Sequence, residues 1–338
     1  MGAQDESAGT RQTANPSLLS VRNLSKQFIS RRGRQVVHAV DGVSFDLERG
    51  EILGLIGESG CGKTTTGRLV VKLLYPSAGE IHFEGKNIVR SGRAETAAYR
   101  RRAQMIFQDP YASMNPRFRI RDVLREPLII HHLGMKRREQ ENIVRKALAE
   151  VKLEPAEDYL DRFPHMLSGG QRQRVATART LILSPSLLVA DEPVSMIDLS
   201  TRAEILSLMR EVQRRRGLSC LYITHDISTA RFFTDRLAVM YLGRIVEIGA
   251  PDDVVERPAH PYTRALIRAV CEPSPGRVRT IKELPIRGEI PSAAAIPAGC
   301  RFHPRCIFAT SECKVAPEPM LAEVGPAHQA ACRRWKEI

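Results

Sequence analysis

Glu51-Ile52-Leu53-Gly54-Leu55-Ile56 runs directly into Gly57-Glu58-Ser59-Gly60-Cys61-Gly62-Lys63-Thr64-Thr65, and a helical pattern, Lys63–Leu74, follows. A short apolar strand, a glycine-rich turn and a helix in that order turn the spacing G-x-x-x-x-G-K-[ST] into a phosphate-binding loop. Gly57, Gly60 and Gly62 let the backbone turn tightly and aim N–H groups at an anion, at the positive end of the following helix. Lys63 then reaches the outer phosphates of a nucleoside triphosphate, and the Thr64 hydroxyl meets Mg²⁺.

Outward from this loop, residues 18–28 and 36–47 alternate like strands, as do 79–84 and 104–107. Residues 121–132 and 138–153 carry helical spacing and read as a helical insertion that closes near Pro164. Ser168 is a suitable N-cap for a helix to about Leu183. Strands at 187–191, 219–224 and 236–241 follow, separated by helical patterns at 202–216 and 227–233. This alternation predicts an α/β fold with a mainly parallel core sheet. No internal repeat is present, so the chain carries one such domain.

Leu187-Leu188-Val189-Ala190-Asp191-Glu192 is an apolar strand ending in two carboxylates. Beside a phosphate loop, Asp191 suits a Mg²⁺ ligand and Glu192 suits a base that orients and deprotonates an attacking water.

Of 338 residues, 43% are hydrophobic and 26% charged, an ordinary globular balance. No apolar run approaches the ~18–20 residues needed to span a bilayer. Met1 to Ser17 is polar and holds Asp5 and Glu6, which excludes a signal peptide and reads as a disordered leader on a cytosolic protein. The net charge is +13, and Arg90 to Glu150 holds 14 Lys/Arg against 7 Asp/Glu, about half of the excess. A solvated basic face, a nucleic-acid contact and a contact with an anionic membrane surface all fit that count. The segment lacks the interleaved aromatics of a base-stacking surface.

Leu167-Ser168-Gly169-Gly170-Gln171, downstream of the phosphate loop in one short chain, carries a resemblance to the ATP-binding subunits of ABC transporters. The resemblance implies the ABC-type P-loop fold, with an antiparallel β edge and an inserted helical subdomain at about 109–184 within a nucleotide-binding domain at 18–271. It implies a Q-loop role for Gln108, sensing Mg²⁺ and the attacking water, and a switch role for His225 at the γ-phosphate. Phe28 would stack on adenine. Ser168, Gly169, Gly170 and Gln171 would address the ATP held by a partner subunit's P-loop, so the resemblance implies a head-to-tail dimer. The D-loop reads Ser195-Met196-Ile197-Asp198 and keeps Ser195 and Asp198.

Residues 272–338 hold 9 of the 21 prolines and four of the seven cysteines, with little periodicity. They read as a small separate module without a hydrophobic core of its own. Cys300, Cys306, Cys313 and Cys332 are spaced C-x5-C-x6-C-x18-C; in a reducing compartment a metal site comes before disulfides, although the spacing is not the C-x2-C of zinc modules. His260-Pro261-Tyr262-Thr263-Arg264-Ala265-Leu266 and Gly299-Cys300-Arg301-Phe302-His303-Pro304-Arg305-Cys306 resemble the C-terminal segment of oligopeptide/dipeptide-type ATPases. Some of that group hold a [4Fe–4S] cluster on four such cysteines; free thiols and zinc stay open as alternatives. Cys61 reads as incidental, inside a loop where its neighbours do the chemistry, with thiol sensitivity left open; Cys220 and Cys271 read as packing residues.

The resemblance implies an ATP- and Mg²⁺-dependent subunit of an importer for peptides or related solutes. It would sit peripherally on the cytoplasmic face of the cell (inner) membrane. A second ABC ATPase and two permease subunits would be its direct partners, and an extracytoplasmic substrate-binding protein an indirect one; no nucleic acid is expected. The rival reading is a soluble ABC ATPase of repair or translation. Repair members have long coiled-coil arms between P-loop and signature, but here the two lie about 110 residues apart without heptads.

Overall fold

A computed structural model describes residues 17–29, 35–269, 286–315 and 317–338. Nearly all of the expected leader, Cys271, and the first part of the 272–338 segment lie outside the described residues.

The strands, in chain order, are β1 (Leu19–Ile29), β2 (Val36–Leu47), β3 (Ile52–Ile56), β4 (Ala78–Phe83), β5 (Lys86–Asn87), β6 (Ala103–Ile106), β7 (Leu187–Asp191), β8 (Ser219–Thr224), β9 (Arg236–Tyr241), β10 (Arg244–Gly249), β11 (Ala322–Gly325) and β12 (His328–Ala330). They form two sheets. One is antiparallel in the order β2-β1-β4-β5, and the other runs β11-β12-β10-β9-β3-β8-β7-β6. Within the second, β9, β3, β8, β7 and β6 are mutually parallel, and β10, β12 and β11 extend it antiparallel.

Every residue of β3, β7 and β8 is buried, which is why these strands read as unbroken apolar runs. Their period of two sends alternate side chains to opposite faces. Ile52, Ile56, Leu188, Ala190, Cys220 and Tyr222 pack toward the helices. Leu53, Leu55, Leu187, Val189, Leu221 and Ile223 pack toward the antiparallel sheet. The helical insertion comprises Ile120–Ile130, Arg137–Glu150 and Glu157–Leu160, and it buries its apolar stripe on the former side through Val123, Leu124, Val144 and Leu148.

One helix boundary and one additional helix differ from expectation. The helix after the phosphate loop ends at Val70, not near Leu74, and a helix at Arg93–Arg102 occupies residues that show no periodicity. Six arginines of the basic stretch are paired: Arg102 with Glu84, Arg119 and Arg121 with Asp161, Arg125 with Asp122, Arg137 with Glu141 and Arg145 with Glu157. The solvated-face reading accounts for these arginines.

The tail does not stand apart, contrary to expectation. β12 hydrogen-bonds to β10, and Phe302, 1% exposed, joins the main core against the rings of Tyr241 and Tyr262. Arg301, also buried, pairs with Asp41 of β2 and with Glu318, and it donates to the Leu242 carbonyl at 2.6 Å. Glu247 of β10, wholly buried, accepts from the amides of Ala259 and His260 and meets His328 Nε2 at 2.8 Å. The low-periodicity tail thus borrows the core of the nucleotide domain. Phe302→Ala should therefore lower whole-chain stability by about 3–5 kcal/mol in urea denaturation, with one cooperative transition. A loss below about 1 kcal/mol, or two transitions, would mean that the tail folds by itself.

Candidate active site

The parallel register brings three strand ends to one edge. Ile56 pairs with Thr224, and Asp191 pairs with Ile223. The next residues, Gly57, His225 and Glu192, therefore leave the sheet together, at the carboxyl edge where α/β folds hold ligands.

The phosphate loop wraps tightly at this edge. Gly62 has φ 110°, and a Cβ there would lie 2.1 Å from the Ala39 carbonyl oxygen; at Gly57 it would lie 2.2 Å from that of Met240. Only glycine fits either place. Lys63 is buried and donates to the carbonyls of Gly57 (2.7 Å) and Glu58 (2.9 Å). Thr64 Oγ1 donates to Asp191 Oδ1 at 3.0 Å, so the two expected Mg²⁺ ligands already touch. Burial holds the Asp191 carboxyl above its ordinary range, against the Thr64 hydrogen bond that lowers it; Glu192 raises it further. A divalent cation at this hydroxyl–carboxylate pair would favour the ionised form.

Glu192 carries φ 45°, and its amide donates to the Ile223 carbonyl at 2.8 Å. Its carboxylate is held at both oxygens: Gln108 Nε2 donates at 3.0 Å and His225 Nδ1 lies at 3.1 Å. Three residues 33 and 84 positions apart in sequence thus meet on one carboxylate. Gln108 spends its amide nitrogen on Glu192, which leaves its carbonyl oxygen as the atom that could face a cation.

Ser168 caps the helix Gly169–Leu181. Its Oγ accepts from the Gln171 amide at 3.2 Å, while Gln171 Oε1 accepts from the Ser168 amide at 3.0 Å, a reciprocal capping box. Gly170 lets this helix close on the next one, since a Cβ would lie 2.6 Å from Thr201 Cγ2. Ser195 Oγ donates to the Glu192 carbonyl at 3.0 Å. Asp198 caps Leu199–Arg216, and hydrogen bonds from Thr201 and Ser200 lower its carboxyl to about 2. Phe28 lies on β1 opposite Val37, 41% exposed, two residues along β2 from the Ala39 that abuts Gly62. The remaining loop residues, Ser59, Gly60 and Thr65, complete the turn and first helical positions.

Glu58 also reaches beyond the phosphate loop. Its carboxylate forms a two-pronged pair with Arg305 of the tail at 2.7 and 3.0 Å, and its amide donates at 2.8 Å to Tyr262 Oη of the helix Pro261–Ala269. Nothing local in the sequence signals contacts that span 247 and 204 residues. Cys61 is 5% exposed, and burial raises its thiol, so it does not suit the thiol sensitivity left open for it. Cys220 is likewise buried, its thiol pushed up to about 12 by burial.

The four tail cysteines line one cavity, together with Phe302, His303 and Phe308. Burial lifts Cys300 to about 12 and Cys332 to about 11, and raises Cys306. Among the described residues, however, no group of three or more His, Cys, Asp or Glu is arranged to hold a metal ion.

The ABC transporter family matches residues 40–195, and the C-terminal region of the oligopeptide/dipeptide transporters matches 246–313. A putative peptide import ATP-binding protein of Brucella ovis is 47% identical over 317 residues, spanning 94% of this chain and 98% of the relative. The chain belongs to the ABC transporter family. The oligopeptide transport ATP-binding protein AppF of Bacillus subtilis is 42% identical, covering 94% of this chain and 98% of that protein. The dipeptide transport ATP-binding protein DppF of Haemophilus influenzae is 43% identical, covering 89% and 91%. Among solved structures, the dimeric post-hydrolysis state of the ATP-binding cassette MJ0796, bound to ADP and Pi, superposes with a TM-score of 0.62 at 27% identity, covering 69% of this chain and 98% of that one. These relatives bear out the ABC ATPase fold, ATP hydrolysis and the importer class, and they overturn the nucleic-acid alternative. No helix among the described residues is long and apolar enough to cross a membrane.

Proposed function

We propose that this chain is the ATP-hydrolysing, energy-coupling subunit of an importer for peptides or related solutes. The observation that carries this reading is the Glu192 carboxylate, held by Gln108 and His225 at the edge where the phosphate loop and the Thr64–Asp191 pair also emerge. The relatives' peptide, oligopeptide and dipeptide import names support the solute class.

ATP takes the phosphate loop, with its amides and Lys63 on the β- and γ-phosphates and its adenine on Phe28. Thr64, Asp191 and Gln108 would hold Mg²⁺, which would supply positive charge against the outer phosphates. Glu192, released from Gln108 and His225 by the incoming nucleotide, accepts a proton from the water that attacks the γ-phosphorus. The bond from that phosphorus to the β–γ bridging oxygen breaks, leaving ADP and inorganic phosphate. Gln108 orients the water, and His225 contacts the γ-phosphate. Ser168, Gly169 and Gly170 cap a helix whose positive end addresses the γ-phosphate on a partner ATPase subunit, with Ser195 and Asp198 linking the two half-sites. Binding of two ATP molecules closes the dimer, and loss of the γ-phosphate reopens it, which moves two permease subunits. The subunit works peripherally on the cytoplasmic membrane face, and residues 18–271 form the nucleotide-binding domain. Glu192→Gln should lower turnover of the assembled transporter by about 10²-fold or more while Mg·ATP affinity stays within about threefold. Unchanged phosphate release would contradict the assignment.

The four-thiol cavity is the proposed seat of a [4Fe–4S] cluster. Cys300, Cys306, Cys332 and, from the helix Ser311–Val315, Cys313 line it, and thiolates suit iron–sulfur ligation. A cluster would cross-link the tail there and hold the raised thiols deprotonated. Anaerobically purified full chain should carry about four iron atoms and an absorption shoulder near ~400 nm, both lost in Cys313→Ser. Iron-free protein with four titratable thiols would contradict the cluster.

A further inference from the structure

Among the described residues, Arg305 of the tail and Tyr262 of the helix Pro261–Ala269 meet the phosphate loop at Glu58. Glu58 is tied at each of its polar groups: the amide to Tyr262 Oη (2.8 Å), the carbonyl to Lys63 Nζ (2.9 Å), and the carboxylate to the Arg305 fork (2.7 and 3.0 Å). Tyr262 and Arg305 are buried, with 5% of the Arg305 side chain exposed against 28% for Glu58. The Arg305 guanidinium lies 5.9 Å from the ring centroids of both Tyr241 and Phe302, which fix its position from below. A planar two-pronged pair of this kind is directional as well as attractive.

Charge makes this contact matter for nucleotide binding. Glu58 is the second residue of a loop that receives a polyanion, and a free carboxylate there would repel it. Its field reaches into the loop: after burial, the main cause, the Glu58 charge adds to the rise of the Cys61 thiol, while Lys63 opposes it.

We propose that Arg305 and Tyr262 are positioning residues for ATP: Arg305 cancels the Glu58 carboxylate beside the triphosphate site, and Tyr262 anchors the Glu58 amide. The C-terminal segment thereby sets how tightly the phosphate loop takes ATP. Neither residue touches the reacting atoms. The proposal rests on the ATPase reading above.

The test is equilibrium binding of trinitrophenyl-ATP, displaced by Mg·ATP, to the full chain. Arg305→Gln should weaken Mg·ATP about tenfold, by leaving Glu58 uncompensated, and the loss should shrink as salt rises. Glu58→Gln keeps an acceptor for Arg305 and removes the repulsive charge, so its affinity should equal the parent's or rise by up to about threefold. The double variant R305Q/E58Q should return to within about threefold of the parent, a rescue that a merely structural role of Arg305 would not give. Parent-like affinity in R305Q, weaker binding by E58Q, or a double variant as poor as R305Q would each overturn the proposal. Should R305Q fail to fold, E58Q and the double variant decide the outcome. A parent chain that binds no Mg·ATP overturns the ATPase reading and this one with it. A binding parent with indifferent variants overturns this one alone.

Discussion

The arrangement depends on hydrogen-bond register among three parallel strands. With β3, β8 and β7 in register, Gly57, His225 and Glu192 fall one position past the paired ends Ile56–Thr224 and Ile223–Asp191. A slip of one residue would reverse every side chain on these strands, exchanging the helix-facing and sheet-facing apolar sets. Burial of both faces therefore fixes the register. The fixed register in turn places a phosphate loop, a metal-binding carboxylate and a base on the same edge. Glu192 then needs only a left-handed backbone turn, at φ 45°, to face Gln108 and His225.

A second constraint comes from the tail. Residues 286–338, poor in periodicity, gain order by inserting Phe302 into the domain core, adding β12 beside β10, and burying Arg301 and Arg305 against carboxylates on the nucleotide domain. Buried arginines stay charged, so each needs its acid, and these pairs define where the segment docks. The link is strategic because one of the acids, Glu58, belongs to the phosphate loop. Chemistry at the four-thiol cavity lies next to this link, since Cys306 follows Arg305 directly.

Much of the nucleotide site was legible because its chemistry is local. Gly57 to Thr64 is a contiguous loop, Asp191-Glu192 ends an apolar run, and Ser168 stands before a helix with Gln171 at the capping-box position. The strands 36–47, 187–191, 219–224 and 236–241 follow directly from their apolar patterns. What stayed hidden was set by distant partners. β10 to β12 are short strands with mixed composition, made strands by pairing, and the helix Arg93–Arg102 is held by Tyr99 donating to the Val70 carbonyl at 2.6 Å. The turn of Glu58 toward the tail, and the hold of Gln108 on Glu192, depend on contacts no window of sequence contains.

The central claim is that this edge receives Mg·ATP, with Lys63 and the Thr64–Asp191 pair turned to its outer phosphates. The most direct measurement is an experimental structure of the Glu192→Gln chain with Mg·ATP. The account predicts the triphosphate along residues 57–64, Lys63 drawn off the Gly57 and Glu58 carbonyls onto the outer phosphates, and a metal ion beside Thr64 and Asp191. A nucleotide seated elsewhere, or Lys63 still bonded to both carbonyls with the triphosphate bound, would contradict it.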